Sequence, residues 1–422
     1  MYQNHRPSGP AVTGFEQVEF TPDIDANFDW LATPRAAYHS VLKRIPDLFS
    51  WDDQPTLFWR LLALRRSVNT QRFMGCLDLI SKKDSVLAAS MRETFLSLPS
   101  EGKVRFVEAP ETFNNISCMR KTPVSSIMSL CNSLNAEAVS YEERAAGLGK
   151  RYWTALGDFY FADEVRDHLC ASKVETIGWN PDRSFISPQL ASNITIDFFS
   201  PAYDSSKVNN FPAEYLQYSN DERGVVYDRL VTAFDRIADV SYVAARILKE
   251  FVKVIIPHKV KEGSGSTSQT SVPGRVLLRG CENASLEWLM SALIHESIHQ
   301  VLYILEFADT FVIGDVDGKS SEARVASLWT GRELGVHSFF HACFVWYGLS
   351  HFWSRALGCG DLDVDRAAIA NELKKCTSGF QRGNPVAALG SHSELIRYDA
   401  LCIARTLHGR VEPIFKQLAG VV

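Results

Sequence analysis

The hydrophobic and polar positions of the chain follow mainly the rhythm of helices. Apolar residues recur every three or four positions in four stretches, residues 29–116, 120–175, 227–256 and 358–422. Pro99 and Pro110 divide the first stretch, which predicts short helices with turns between them. In the third stretch we expect two helices, the second of which ends at Pro257.

Two short runs contain residues that favour strands instead. Residues 193–199 (NITIDFF) are rich in β-branched and aromatic side chains, and residues 274–280 (GRVLLRG) form a second apolar run. The polar, Ser-rich segment 261–274 leads into the second run, and it either links two regions or lines a site. After the second run we expect a helix over about 284–306, capped by a Ser or Asn side chain.

A second long apolar segment spans residues 335–353 (GVHSFFHACFVWYGLSHFW). It is nearly long enough to cross a bilayer. It carries three histidines, however, and polar groups inside a membrane are costly. Since burial in a large protein core also explains a helix that is apolar all round, we expect a buried helix here.

These elements predict a mainly α fold with a small β element beside the helix at 284–306. In this α+β arrangement that helix packs against the buried apolar one. We expect four regions in one compact unit: an N-terminal arm, a largely helical region, a core that carries the chemistry, and a helical C-terminal region. Their bounds are residues 1–28, 29–260, 261–357 and 358–422.

Composition narrows the classes of function. The formal net charge of −5 and the isoelectric point of about 6.1 give no basis for nucleic-acid binding or for binding to an anionic membrane. The nine cysteines are scattered without a CxxC pair, which is typical of a reducing compartment. The first residues are polar and lack the pattern of a signal peptide, so we expect a cytoplasmic protein.

The most specific motif is the HExxH sequence at residues 295–299 (HESIH), inside the helix expected at 284–306. Residues four apart lie on one face of a helix, so His295 and His299 can bind the same divalent metal ion. Glu296 lies beside them. In a zinc peptidase a glutamate at this position is the general base, whereas an iron oxygenase needs no such base.

Two histidines leave such a site incomplete, because catalytic zinc takes three protein ligands and mononuclear iron uses a facial triad. The candidates for the third ligand are Glu322, 23 residues after His299, and His341, 42 residues after it. Glu322 fits a zinc peptidase of the HExxH…E type. His337 shares a helix face with His341, and it is a candidate to orient that ring or to act as a further ligand.

Several segments resemble one known family, in the same order along the chain. They are FLSLPSEGKVRFVEAPETF (95–113), GSGSTSQTSVPGRVLL (263–278), HESIHQVLYIL (295–305), and Ser327-Leu328-Trp329 followed by Phe340-His341-Ala342. The segments look like those of the α-ketoglutarate-dependent HExxH-type peptide β-hydroxylases, also described as HEXXH-motif proteins of peptide modification.

The resemblance implies a non-haem Fe(II)/α-ketoglutarate-dependent dioxygenase. Such an enzyme would hydroxylate an unactivated carbon, such as the β-carbon of an amino-acid residue in a peptide or a natural-product intermediate. The resemblance implies iron bound by His295, His299 and His341, and so it favours His341 over Glu322. It also implies that Trp329 lies near α-ketoglutarate.

The chain departs from the family's pattern near the co-substrate. Leu328 stands where the family has proline, and Gly331-Arg332-Glu333-Leu334 replaces an Arg-Pro-Leu element. Either Arg332 binds the carboxylate of α-ketoglutarate from a shifted position, or another residue does.

Two other functions stay open. A zinc metallopeptidase would use His295, His299 and Glu322 as zinc ligands, with Glu296 as the base. A non-catalytic protein of a biosynthetic cluster would keep the fold and bind a partner peptide.

Overall fold

The structure is a computed structural model that describes residues 34–119, 121–142, 152–161, 185–203, 215–313, 323–360 and 362–418. Helices account for 67% of it and strands for 10%, which confirms the mainly α prediction with a small β element. The arm expected over residues 1–28 lies outside the described residues, and that expectation stays a prediction.

The N-terminal part of the described chain is helical. Its helices are α1 (Pro34–Leu42), α2 (Ile45–Phe49), α3 (Pro55–Ser81), α4 (Ser85–Ser97), α5 (Ser100–Glu108), α6 (Pro110–Cys118) and α7 (Pro123–Glu142). Helix α5 begins directly after Pro99 and α6 begins at Pro110, because proline is tolerated at the start of a helix but not in its interior.

The helical prediction for residues 120–175 is wrong at residues 152–161, the part after α7 that the structure describes. Strands β1 (Tyr152–Trp153) and β2 (Phe159–Phe161) lie in that part, and they form a small antiparallel sheet with β3 (Phe185–Ile186). The aromatic side chains of β1 and β2 favour extended backbone, and pairing between strands outweighs the weak helical spacing.

A larger sheet lies at the centre of the described chain. Its strands are β4 (Gln189–Leu190), β5 (Ile194–Ile196), β6 (Tyr215–Leu216), β7 (Val254–Val260), β8 (Gly265–Thr267) and β9 (Arg275–Arg279). The order is β4-β5-β7-β9-β8, with β6 paired to β7. Strands β5, β7 and β9 run parallel, and the other pairs are antiparallel. Strands β5 and β9 confirm the two strands expected from the sequence.

Side chains of this sheet alternate between two apolar clusters on its opposite faces. Ile255 and Leu278 belong to the main cluster, whereas Ile256 and Leu277 pack into a second cluster with residues of α3, α4 and α5. This alternation is the period of two that a strand imposes on its side chains. The main cluster includes residues from Tyr38 to Ile414, so both ends of the described chain share one core.

Helices α8 (Asn220–Val240) and α9 (Tyr242–Phe251) confirm the pair of helices expected before Pro257, but the second ends earlier than predicted. The following residues form β7, and Pro257 lies inside that strand, opposite Leu278 of β9. The prediction of a helix up to Pro257 is therefore wrong. The run before the proline is rich in β-branched residues, which fit a buried strand between two parallel neighbours.

The C-terminal part carries the motif. Its elements are α10 (Leu286–Ala308), β10 (Arg324–Ala326), β11 (Glu333–Gly335), α11 (Val336–Gly358), α12 (Arg366–Arg382), α13 (Pro385–Ala388), a 3-10 helix (Gly390–Leu395) and α14 (Tyr398–Leu418). The apolar segment forms α11, which packs against α10, α12 and α14 as the buried helix that we expected. No helix in the described part of the chain is long and apolar enough to cross a membrane.

Helices α10 and α11 pack closely and run antiparallel. Glu306 meets His341 near one end of the pair, and the indole nitrogen of Trp353 donates to Oγ of Ser291 at 3.0 Å near the other. A glycine permits the close approach between these ends. A methyl group added to Gly348 of α11 would lie 2.6 Å from Cδ1 of Ile298, the residue before the second motif histidine.

The segment around α2 holds the outer side of α11. Trp51 donates its indole N–H to the carbonyl of Gly348 at 2.8 Å, and Tyr347 donates its hydroxyl to the carbonyl of Pro46 at 3.1 Å. Arg355 donates from Nε to the carbonyl of Ser50 at 3.1 Å. These bonds join positions about 300 residues apart and fix α11 against the start of the described chain.

Candidate metal centre

Helix α10 positions both histidines of the HExxH motif. Ser285 caps the helix by accepting the amide hydrogen of Trp288 at 3.1 Å. One turn apart, His295 and His299 bring their Nε2 atoms within 3.2 Å of each other. Metal–nitrogen bonds of about 2.0–2.1 Å place neighbouring ligands roughly 3.0–3.4 Å apart, so this separation fits two ligands of one ion.

Helix α11 brings His341 to the same cluster. Its Nδ1 atom lies 3.2 Å from Nδ1 of His299, and the two rings stack with centroids 5.4 Å apart. The His341 side chain is 1% exposed and packs against the ring of Phe311. His299 thus faces His295 through one ring nitrogen and His341 through the other. The three predicted ligands are therefore neighbours, but their ring nitrogens do not surround one common point.

The cluster extends to Glu306, which the sequence reasoning missed. Its Oε2 atom lies 3.0 Å from Nε2 of His341 and 2.8 Å from Nε2 of His337. Among the residues that the structure describes, Glu306, His337 and His341 form a group whose ligand atoms all lie within 4.8 Å of one another. The signal was present in the sequence, because Glu306 follows His299 by seven residues, two helical turns along one face.

Burial and neighbouring charges shift the pKa values of the side chains in this cluster. Burial lowers the pKa of His295 and of His341, although the nearby carboxylates oppose it. Burial lowers the pKa of His299 further, and the neighbouring imidazoles add to that shift. Burial would raise the pKa of Glu306, but its contacts with His341 and His337 outweigh burial and hold that pKa below its usual range. Neutral imidazole is the form that binds a metal.

Tyr303 connects the cluster to the polar segment at 261–274. Its ring stacks on His299 with centroids 5.8 Å apart and lies 5.6 Å from the ring of His341. Its hydroxyl is 3.4 Å from Oγ of Ser268, next to β8. These contacts favour the interpretation in which the polar segment lines the site over the one in which it only links two regions.

Glu296 is buried beside the histidine pair. Its side chain is 1% exposed, and no described residue makes a hydrogen bond to its Oε2 atom. A buried carboxylate oxygen without a partner is costly, which is typical of a position where water, a proton or a ligand group binds. The residues present therefore fit a metal site with a carboxylate next to it.

The other predicted site residues have different surroundings. Arg332 is exposed in the turn between β10 and β11. Trp329 is buried between Trp346 and Phe380, and its indole N–H donates to the carbonyl of Cys376 at 2.7 Å. Within the described part of the chain, neither side chain makes a hydrogen bond or ring contact with the histidine cluster. Their predicted role at α-ketoglutarate stays a prediction.

Glu322, the alternative third ligand, lies outside the described residues. That Glu322 is a metal ligand therefore stays a prediction. Among the described residues, Glu306 is the carboxylate that contacts His341.

Comparison with known proteins adds no relative: no protein-family model matches the chain, and no curated protein matches it significantly.

Proposed function

We propose that the protein is a non-haem Fe(II)/α-ketoglutarate-dependent oxygenase with iron bound by His295, His299 and His341. The observation that supports this proposal is the meeting of the three rings on two packed helices, with successive ring nitrogens 3.2 Å apart. Imidazole is a ligand that iron accepts readily. For all three rings to reach one ion, we expect a ring of the His299–His341 pair to turn about its side-chain bonds.

The reaction that we propose is hydroxylation of an unactivated carbon, such as the β-carbon of a residue in a peptide or a natural-product intermediate. Fe(II), with α-ketoglutarate as co-substrate, would supply the oxidation of the C–H bond. The chain's part is to position the substrate and exclude water. Tyr303 covers one side of the cluster, and Phe311 with the buried helix α11 covers another.

The proposal is tested by adding Fe(II) and α-ketoglutarate to the metal-free protein under anaerobic conditions. We expect a weak visible charge-transfer band, since it arises when α-ketoglutarate chelates Fe(II). Absence of the band together with tight zinc binding and cleavage of casein would contradict the proposal.

The ligand set has its own test, which compares metal content across variants. At Fe(II) concentrations that fill only one site of the wild type, we expect His295→Ala, His299→Ala and His341→Ala each to lose most of the iron. His351→Ala is the matched control, because His351 lies on the same helix as His341 and packs against Tyr347 instead of the cluster. If Glu322→Ala alone empties the site, His341 is the wrong third ligand.

A zinc hydrolase is the second candidate, and one observation favours it. Glu296 lies beside the histidine pair, and its buried Oε2 atom has no hydrogen-bond partner among the described residues. In a zinc hydrolase this carboxylate would be the general base that takes a proton from zinc-bound water. The zinc ligands would then be His295, His299 and one further residue, either Glu322 or His341.

A further inference from the structure

The cluster contains a second possible ligand set, one to two turns from the HExxH pair. It consists of the carboxylate of Glu306 on α10 and the imidazoles of His337 and His341 on α11. Two histidines and one carboxylate on a single face are the ligands of many divalent iron and zinc sites. Nothing in the HExxH motif requires these three residues to be together.

The distances fit a shared cation. Oε2 of Glu306 lies 2.8 Å from Nε2 of His337 and 3.0 Å from Nε2 of His341. Two ligands about 2.1 Å from one ion and at right angles to each other are roughly 3.0 Å apart. Both histidines approach the carboxylate with the same ring nitrogen, so their Nε2 atoms lie around the same oxygen.

Burial and charge also suit a cation. The side chains of His341 and Glu306 are 1% and 6% exposed, while that of His337 is 38% exposed. An ion from solvent would thus meet His337 first and then the buried pair. The Glu306 carboxylate supplies a negative charge in a site of low polarity, where an ion pair is stronger than in water.

We propose that Glu306, His337 and His341 form a second binding site for a divalent transition-metal ion, and that this site competes with the HExxH pair for His341. The competition follows from the chemistry of the ring. A neutral imidazole offers one lone pair, since its other nitrogen carries a hydrogen. His341 faces His299 through Nδ1 and Glu306 through Nε2, so it serves one ion at a time.

The second site stands on its own geometry, whereas the competition rests on the iron ligands proposed above. When the second site is filled, the HExxH pair keeps only His295 and His299. We therefore expect excess metal to weaken the complex of Fe(II) with α-ketoglutarate. Inhibition by excess metal would then be a property of this cluster.

Co(II) is a suitable probe, because its visible absorption reports its coordination. The full-length metal-free protein is titrated with Co(II) alone, and bound metal is counted by equilibrium dialysis. At saturating Co(II) we expect two ions per wild-type chain, one at Glu306, His337 and His341 and one held by His295 and His299 alone. In Glu306→Gln and in His337→Gln we expect one ion. His337 is partly exposed, so its variant is expected to fold even if the Glu306 variant does not, and circular dichroism checks both.

His351→Gln is the control on the same helix and should bind two Co(II) ions like the wild type. A single Co(II) ion in the wild type, or two in both the Glu306 and the His337 variant, would refute the second site. This titration needs no α-ketoglutarate, so its outcome is separate from that of the oxygenase test.

The competition is tested by following the charge-transfer band while Zn(II) is added to the Fe(II) and α-ketoglutarate complex. We expect the band to fall in the wild type at Zn(II) concentrations that leave it unchanged in His337→Gln. An equal fall in both proteins would contradict the competition while leaving the second site intact.

Discussion

Single side chains at the cluster separate the two chemistries, and Glu296 does so most directly. In a hydrolase it takes a proton from bound water, and its loss removes most of the activity. In the oxygenase that we propose, it is not a ligand of the metal. A substitution of Glu296 alone therefore distinguishes the two functions.

We predict that Glu296→Gln keeps both its metal content and the charge-transfer band with Fe(II) and α-ketoglutarate. The amide has nearly the shape of the carboxylate, so the buried position should accept it. Metal analysis and anaerobic absorption spectra check the prediction. Loss of the band with an intact fold would mean that Glu296 holds a ligand or the co-substrate.

Part of the cluster could be predicted from the sequence. The spacing of His295 and His299 fixes their common helix face, and that placement is confirmed. Glu306 was missed because an acidic residue two turns further along a helix is usually a solvent-exposed side chain. Its place in the cluster depends on contacts with His337 and His341, which lie on a helix about 30 residues later. No local sequence pattern predicts those contacts.

At the scale of elements, the crossing of α10 and α11 sets the distance between the metal-binding faces. Gly348 leaves no room for a larger side chain, because Ile298 and Trp51 close the space around it. The crossing lies about two turns from His341 on α11. A change there acts on the cluster through the positions of the helix axes.

We predict that Gly348→Val destabilises the protein by about 1–3 kcal/mol, which is typical of overpacking a core. It should also reduce metal affinity, since a wider crossing separates His299 from His341. Chemical denaturation and metal titration measure the two effects. Adding Ile298→Val should restore part of the loss, because it removes the Cδ1 atom that the new side chain meets.

Gly75→Ala on α3 is the control for this substitution. A methyl group there meets no atom within 4 Å, so we expect a gain of about 0.5–1 kcal/mol from helix propensity. If Gly348→Val proves as harmless as Gly75→Ala, α10 and α11 do not depend on a close approach at Gly348.

Element-level prediction succeeded where one physical effect dominates. The apolar pattern of residues 335–353 predicts a buried helix, and α11 is a buried helix in the structure. It failed at β7, whose residues carry both a helical spacing and a β-branched run. The sheet decides between the two, since β7 lies between the parallel neighbours β5 and β9, and β5 is distant from it in the sequence.

At the scale of the molecule, one buried charge cluster joins the helical layer to the sheet. Glu108 at the end of α5 lies 3.1 Å from Nζ of Lys253, just before β7, and 3.9 Å from Nη1 of Arg65 on α3. Burial would raise the pKa of Glu108, but Arg65, Lys253 and Arg66 lower it to about 2. The carboxylate is therefore ionised and offsets the buried cations.

We predict that Glu108→Gln lowers the free energy of unfolding at pH 7 by about 3–5 kcal/mol, because Arg65 and Lys253 lose their most buried counter-charge. The pKa of Glu108 in the folded protein lies below its usual value of 4.5. The contribution of Glu108 is thus complete above about pH 4.5 and is lost as the pH falls through about 2. The difference between wild type and variant should shrink over that range.

Urea denaturation at several pH values measures this difference. Glu101→Gln is the matched control on α5, since Glu101 is exposed, and we expect it to cost less than about 1 kcal/mol at pH 7. A difference between wild type and Glu108→Gln that is constant from pH 7 to pH 3 would show that the carboxylate does not carry the effect.

The hydrogen bonds between the segment at 46–51 and helix α11 have a kinetic consequence. The bond from Trp51 to Gly348 closes a loop of 297 residues, and in an otherwise unfolded chain such a closure costs about 5 kcal/mol of entropy. Helix α10 can form by local contacts, so the HExxH pair is expected early in refolding. His341 takes its final position only after the two distant parts of the chain have met. The complete cluster should therefore be among the last parts to form, and a refolding chain should acquire tight metal binding later than its helical circular dichroism signal.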